Sequence, residues 1–87
     1  MGTKKEIAEM IVNNAISTAL NKKKDASMRK RAIIEIYNLC VSGHLEAKRA
    51  VEVLIEIGNE ETSEDFLGVV ADARATMHKI LNEMKDE

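Results

Sequence analysis

Hydrophobic and polar residues recur along this chain with the period of a helix, in four blocks separated by short polar or glycine-containing breaks. The densest block is Ala32 to Val41, AIIEIYNLCV, where only Glu35, Tyr37 and Asn38 interrupt the apolar run. Wound at about 100° per residue, its apolar side chains do not form a stripe. Met28, Ile33, Ile34, Ile36, Leu39 and Val41, with their smaller neighbours, spread over roughly two-thirds of the circumference. A helix of that kind needs cover on several sides, so the pattern predicts a central helix with the others laid around it.

Taken in order, Thr3 to Glu6 reads T-x-x-E, a capping box that starts helix 1. Ile7, Ala8, Ile11, Val12, Ala15, Ile16, Ala19 and Leu20 follow at helical spacing, and Asn21 to Lys24 ends the element. Asp25 or Ser27 caps helix 2, and Gly43 stops it, since glycine accepts the left-handed geometry just past a helix end. Helix 3 runs from Leu45 to Ile57 and ends at Gly58-Asn59. The very short connection Ser42-Gly43-His44 predicts helices 2 and 3 as antiparallel neighbours forming a helical hairpin core. Thr62 or Ser63 caps helix 4, whose apolar side carries Phe66, Val69, Val70, Ala73, Met77, Ile80, Leu81 and Met84. The expected fold is all-α, a small four-helix bundle in a single domain over residues 1–87, with helices 2 and 3 at its centre.

Composition sharpens this picture. With no proline, four glycines, 45% hydrophobic and 32% charged residues, the chain has a helix-favouring, globular balance. A chain this short buries only about 60–65% of its unfolded surface. Helices 1, 2 and 3 are nonetheless each apolar over more than the roughly 100° that a simple bundle hides. One such helix can be surrounded by its neighbours; three among four cannot. The excess predicts a homodimer, or a module that docks a helix of another protein, over a compact monomer with alanine and valine patches in solvent.

Charge is unevenly placed. Residues 1–31 carry eight basic against three acidic side chains, net +5; residues 32–87 carry five basic against twelve acidic, net -7. Lys22, Lys23, Lys24, Arg29, Lys30 and Arg31 form a basic cluster, the candidate partner-binding residues. The three lysines suit a helix C-terminus. Arg29, Lys30 and Arg31 sit in the first turn of helix 2, where each cation is disfavoured by about 0.3–1 kcal/mol. A local penalty of that kind marks a functional candidate. A phosphate backbone, an acidic protein face, or the chain's own acidic half would each attract the cluster. Against nucleic acid stand the overall net charge of -2 and the single Tyr and Phe, which leave no stacking platform.

No arrangement of residues points to catalysis. Cys40, His44 and His78 fall short of a zinc set, and Cys40 lies in the most apolar stretch, where a thiol is inert. Paired carboxylates at Glu60-Glu61 and Glu64-Asp65 suit a helix start, and no glycine-rich phosphate loop is present. The chain is therefore expected to be a non-enzyme without metal or cofactor. No run reaches about 18 apolar residues, so no membrane span is expected. A lone cysteine and no recognisable leader predict a cytoplasmic protein. The reading that emerges is a small regulatory protein of inhibitor or adaptor type, binding a larger protein through an apolar face flanked by the basic cluster. The alternative is a DNA- or RNA-associated protein contacting phosphates through Lys22–Arg31.

Overall fold

A computed structural model of the chain describes residues 3–60 and 63–84. These form α1 (Lys4–Leu20), α2 (Ala26–Val41), α3 (Ala47–Gly58) and α4 (Leu67–Met84), with a 3₁₀ turn, Glu64–Phe66, leading into α4. No strand occurs among the described residues.

The helix ends follow from local chemistry. Thr3 Oγ1 accepts the Glu6 N–H at 3.1 Å, the outer half of the predicted capping box. Asp25 stands at the N-cap of α2, although its side chain makes no capping bond. Gly43, at φ 85°, ends α2: its N–H donates to Cys40 O and the His44 N–H to Leu39 O, the paired bonds of a Schellman motif. The Leu45 N–H also donates to Leu39 O, and the Leu45 side chain is buried. Leu45 thus folds back over the end of α2 and α3 starts at Ala47, two residues later than the spacing predicts. At the other end of α3, Gly58 lies within the helix and has no positive φ. Its role is close approach. A Cβ there would stand 3.1 Å from Arg74 Cγ, and Arg74 Nε and Nη2 donate to Gly58 O at 3.1 and 2.7 Å. Arg74 therefore satisfies a carbonyl that the end of α3 would otherwise leave open. Thr62, the alternative cap for helix 4, lies outside the described residues, and Ser63 stands at the start of the 3₁₀ turn.

The helices pair differently from the expected arrangement. The closest packing is between α3 and α4 and between α1 and α2, with α2 against α4 next; α2 and α3 meet only over a short stretch. The central hairpin of helices 2 and 3 is therefore replaced by two hairpins, α1–α2 and α3–α4. The turn between them is more than a tight return: the His44 and Leu45 N–H groups both bond back to Leu39 O and Leu45 is buried before α3 begins. Contacts advance together along α2 and α4, with Lys30 beside Gly68 and Tyr37 bonded to Glu83, so these two helices run parallel.

One core joins all four helices, with Ile33 and Ile36 of α2, Leu54 and Ile57 of α3 and Val69 and Ile80 of α4 almost without exposure. As expected of a central helix, α2 touches each of the others. Its cover is incomplete, for Ile34 and Val41 remain 60% and 59% exposed. The body is thin, 42 × 34 × 16 Å. Its accessible surface of 6082 Å² exceeds by about 1000 Å² the roughly 5100 Å² typical of a folded chain of 9.7 kDa.

The strongest departure from surface chemistry is Arg29, which has no exposed area. Its Nε donates to Ala19 O at 2.9 Å, its Nη2 donates to Glu60 Oε1 at 2.5 Å, and its guanidinium carbon lies 5.1 Å from the Phe66 ring centroid. Nη1 is buried without an acceptor among the described residues. One side chain thus ties the end of α1, the start of α2, the segment after α3 and the turn before α4. Removing the carboxylate from such a pair costs more than removing both partners, because it leaves a desolvated charge alone. Glu60→Ala should lower stability in urea unfolding by about 3–5 kcal/mol, a large share of the total for a domain of this size. Exchanging Arg29 for Met and Glu60 for Leu together should cost clearly less than the sum of the two single changes. Strictly additive costs would mean that the pair does not form.

Candidate functional site

The cation cluster divides into an inner and an outer part. Arg29 is the inner part. It is withdrawn from the surface and engaged with Ala19, Glu60 and Phe66, so it is not available to a partner. This corrects its place among the candidate binding residues. Of the three attractors weighed for the cluster, the chain's own acidic half is the one that takes Arg29.

The other five cations are at or near the surface. Lys22, Lys23 and Lys24 are exposed in the α1–α2 loop. That loop is shaped by Asn21, whose Oδ1 accepts the Lys23 N–H at 2.9 Å and whose main-chain O accepts the Lys24 N–H at 3.1 Å. This is the local chemistry of an Asx turn. Lys30 is half-buried and lies along the open side of Gly68, where a Cβ would stand 2.8 Å from its Nζ. Arg31 is exposed. None of the five is in an ion pair with another described residue.

Beside Arg31 runs a shallow groove between α1 and α2. Ala15 and Ala32, both buried, form its floor; Thr18 and Met28 stand at its sides, and Arg31 and Glu35 at its edge. On α1 the exposed surface continues as Ile7, Met10 and Ile11, which are 52%, 64% and 40% exposed. Their spacing of three and four residues makes them neighbours on one helix face. Met28, 44% exposed, stands farther along the hairpin, where it shares the groove with Asn14, Ala15 and Thr18. The α1–α2 hairpin thus presents aliphatic and thioether surface at one part and exposed cations at the loop that closes it.

The arrangement offers little to chemistry. Cys40 is half-buried. Burial and, after it, the nearby Glu83 carboxylate push its thiol above the ordinary range. A thiol shifted that way is a weak nucleophile at neutral pH. The Tyr37 hydroxyl donates to Glu83 Oε1 at 2.5 Å, and this bond is the main cause holding its proton above the usual phenol range. The Lys79 ammonium lies 4.4 Å from the centroid of the same ring, so Tyr37 serves as a brace between α2 and α4. His44 is exposed in the turn after α2. No group of three His, Cys, Asp or Glu among the described residues could hold a metal ion. No helix is long and apolar enough to cross a membrane, among the described residues.

Two features lay beyond the reach of spacing rules. The dipole conflict in the first turn of α2 flagged Arg29, but nothing local linked it to Glu60, 31 residues away. Gly58 looked like a terminator, and its pairing with Arg74 depends on how α4 returns along α3.

No family model matches the chain, and no curated protein or solved structure matches it either.

The raised pKa of Cys40 has a direct consequence. Less of the thiol is ionised at a given pH than in an unfolded chain, so alkylation by iodoacetamide at about pH 8 should be slower in the native protein than in urea, with the gap narrowing as pH rises. A native rate equal to or above the unfolded rate would contradict this environment.

Proposed function

We propose that this chain is a small non-catalytic regulatory protein, of inhibitor or adaptor type, that acts as a homodimer and binds a larger protein through the α1–α2 face. The observation that carries the reading is the exposed trio Ile7, Met10 and Ile11, with Met28, on the hairpin whose loop holds Lys22, Lys23 and Lys24. Exposed apolar side chains on the same hairpin as cations that have no described internal counter-charge match a docking surface for an acidic, partly apolar partner. The small residues Ala15 and Ala32 let a partner side chain approach the backbone closely.

The second reading, contact with DNA or RNA phosphates, is favoured by the same exposed cations: Lys22, Lys23, Lys24, Lys30 and Arg31. It is weakened by the two aromatic rings. Tyr37 is engaged by Glu83 and Lys79, and Phe66 lies against Arg29, so neither is offered to a base.

Surface variants that spare Arg29 test both readings. Met10→Glu with Ile11→Glu, and separately Lys22, Lys23, Lys24 and Arg31 changed to Glu, should each keep a cooperative melt near the parent's. Each should lose a protein that the immobilised parent retains from the source cell. Retention of the same protein by both variants would refute the proposed face. Affinity for a mixed-sequence duplex that falls steeply and log-linearly with salt, and is abolished by the charge reversal alone, would establish the nucleic-acid reading instead.

A further inference from the structure

The homodimer in that reading needs a contact between two copies, and the turn that joins the two hairpins supplies one. The apolar register of α2 does not stop at this turn. Ile33, Ile36 and Cys40 on α2 and Ala47, Ala50 and Leu54 on α3 are all buried or half-buried. Counted through Gly43, they follow one unbroken alternation of three- and four-residue steps. Such a run is the seam of a single helix. Wound as one helix from Ala26 to Gly58, α2 and α3 turn their buried sides the same way. That element would be about 50 Å long, and the chain has no proline to break it.

The two helix ends that the turn creates are unevenly satisfied. Gly43 ends α2 with the only positive φ among the described residues, and its N–H and those of His44 and Leu45 bond back to Cys40 O and Leu39 O. On the far side, α3 opens without a side-chain cap. The N–H groups of its first turn therefore have no acceptor within the helix. Straightening residues 42–46 into helix gives those groups the carbonyls of Gly43, His44 and Leu45. It costs Leu45 its buried site.

One chain cannot straighten alone, because that would part the hairpins and strip Arg29 of Glu60. Two chains can. When each lays its α3–α4 hairpin on the α1–α2 hairpin of the other, Arg29 regains Glu60, Lys30 regains Gly68 and Tyr37 regains Glu83, all from the second copy. Little besides the turn changes, since α2 and α3 meet each other only over a short stretch. We infer that the homodimer of this protein forms by exchange of α3–α4 hairpins, with residues 42–46 straightened so that α2 and α3 run as one helix. The occupant is a second copy because the surface each hairpin covers is already complementary to it in every contact, the low-cost route to a dimer.

The proposal rests on the homodimer reading, and sedimentation with cross-linking separates the two. The parent should sediment at twice 9.7 kDa. In a Cys40→Ser background, Lys30→Cys and Gly68→Cys place one thiol on each hairpin at an existing contact. A short bismaleimide applied to that dimer should join two chains and give a band at twice the chain mass on a denaturing gel. Gly43→Ala should strengthen association by about a hundredfold, roughly tenfold for each of the two turns, because alanine is disfavoured in the left-handed region and favoured inside a helix. Nothing lies within 4 Å of a Cβ at Gly43, so a clash is not the cause. A parent that stays a single copy at its highest soluble concentration overturns the homodimer and the exchange with it. A dimer whose cross-link stays within each chain leaves the homodimer standing and overturns the exchange. Association unchanged or weakened by Gly43→Ala also overturns the straightened turn.

Discussion

A guanidinium with no access to water must find its acceptors inside the fold, and Arg29 draws them from distant parts of the chain. The Ala19 carbonyl comes from the last turn of α1, the Glu60 carboxylate from the segment after α3, and the Phe66 ring from the turn before α4. An attraction between buried charges is strong only when geometry is tight and other polar atoms are satisfied. The three contacts therefore fix one mutual placement of the two hairpins. Aliphatic packing alone would tolerate more than one, because cores accept rearranged contacts of similar volume before they lose stability.

The same contacts explain a local oddity. Three cations at the start of α2 oppose the helix dipole. For Arg29 the opposition is offset by an internal carboxylate and an aromatic face. For Lys30 and Arg31 no described carboxylate does so. The apolar surface shows a similar division. Ile33 and Ile36 are sealed in, whereas Ile7, Met10, Ile11, Ile34 and Val41 stay outside. In a body only 16 Å thick, four helices lie too nearly in one layer to shield every apolar side.

The helical character, the Thr3 cap, the Gly43 stop and most core residues of α2 and α4 were legible from spacing, because each depends on side chains within about one turn. The hairpin assignment was not, because loop length alone does not say that Leu45 will fold over the end of α2. The apolar width of α2 gave the right neighbour set and overstated the cover, since width predicts a need for burial and not its fulfilment. At the candidate site, Lys22, Lys23, Lys24 and Arg31 could be placed on the surface from sequence. Arg29 could not be separated from them, as its partner lies 31 residues downstream.

The buried arginine fixes how the α1–α2 hairpin, with its exposed cations, sits against the α3–α4 hairpin. The most direct test is the ¹H–¹⁵N spectrum of the arginine Nε–H groups at neutral pH. The Arg29 Nε–H resonance should persist, protected from exchange, with cross-peaks to the Phe66 ring. An Arg29 Nε–H that exchanges as fast as that of Arg31, with no cross-peak to Phe66, would contradict it.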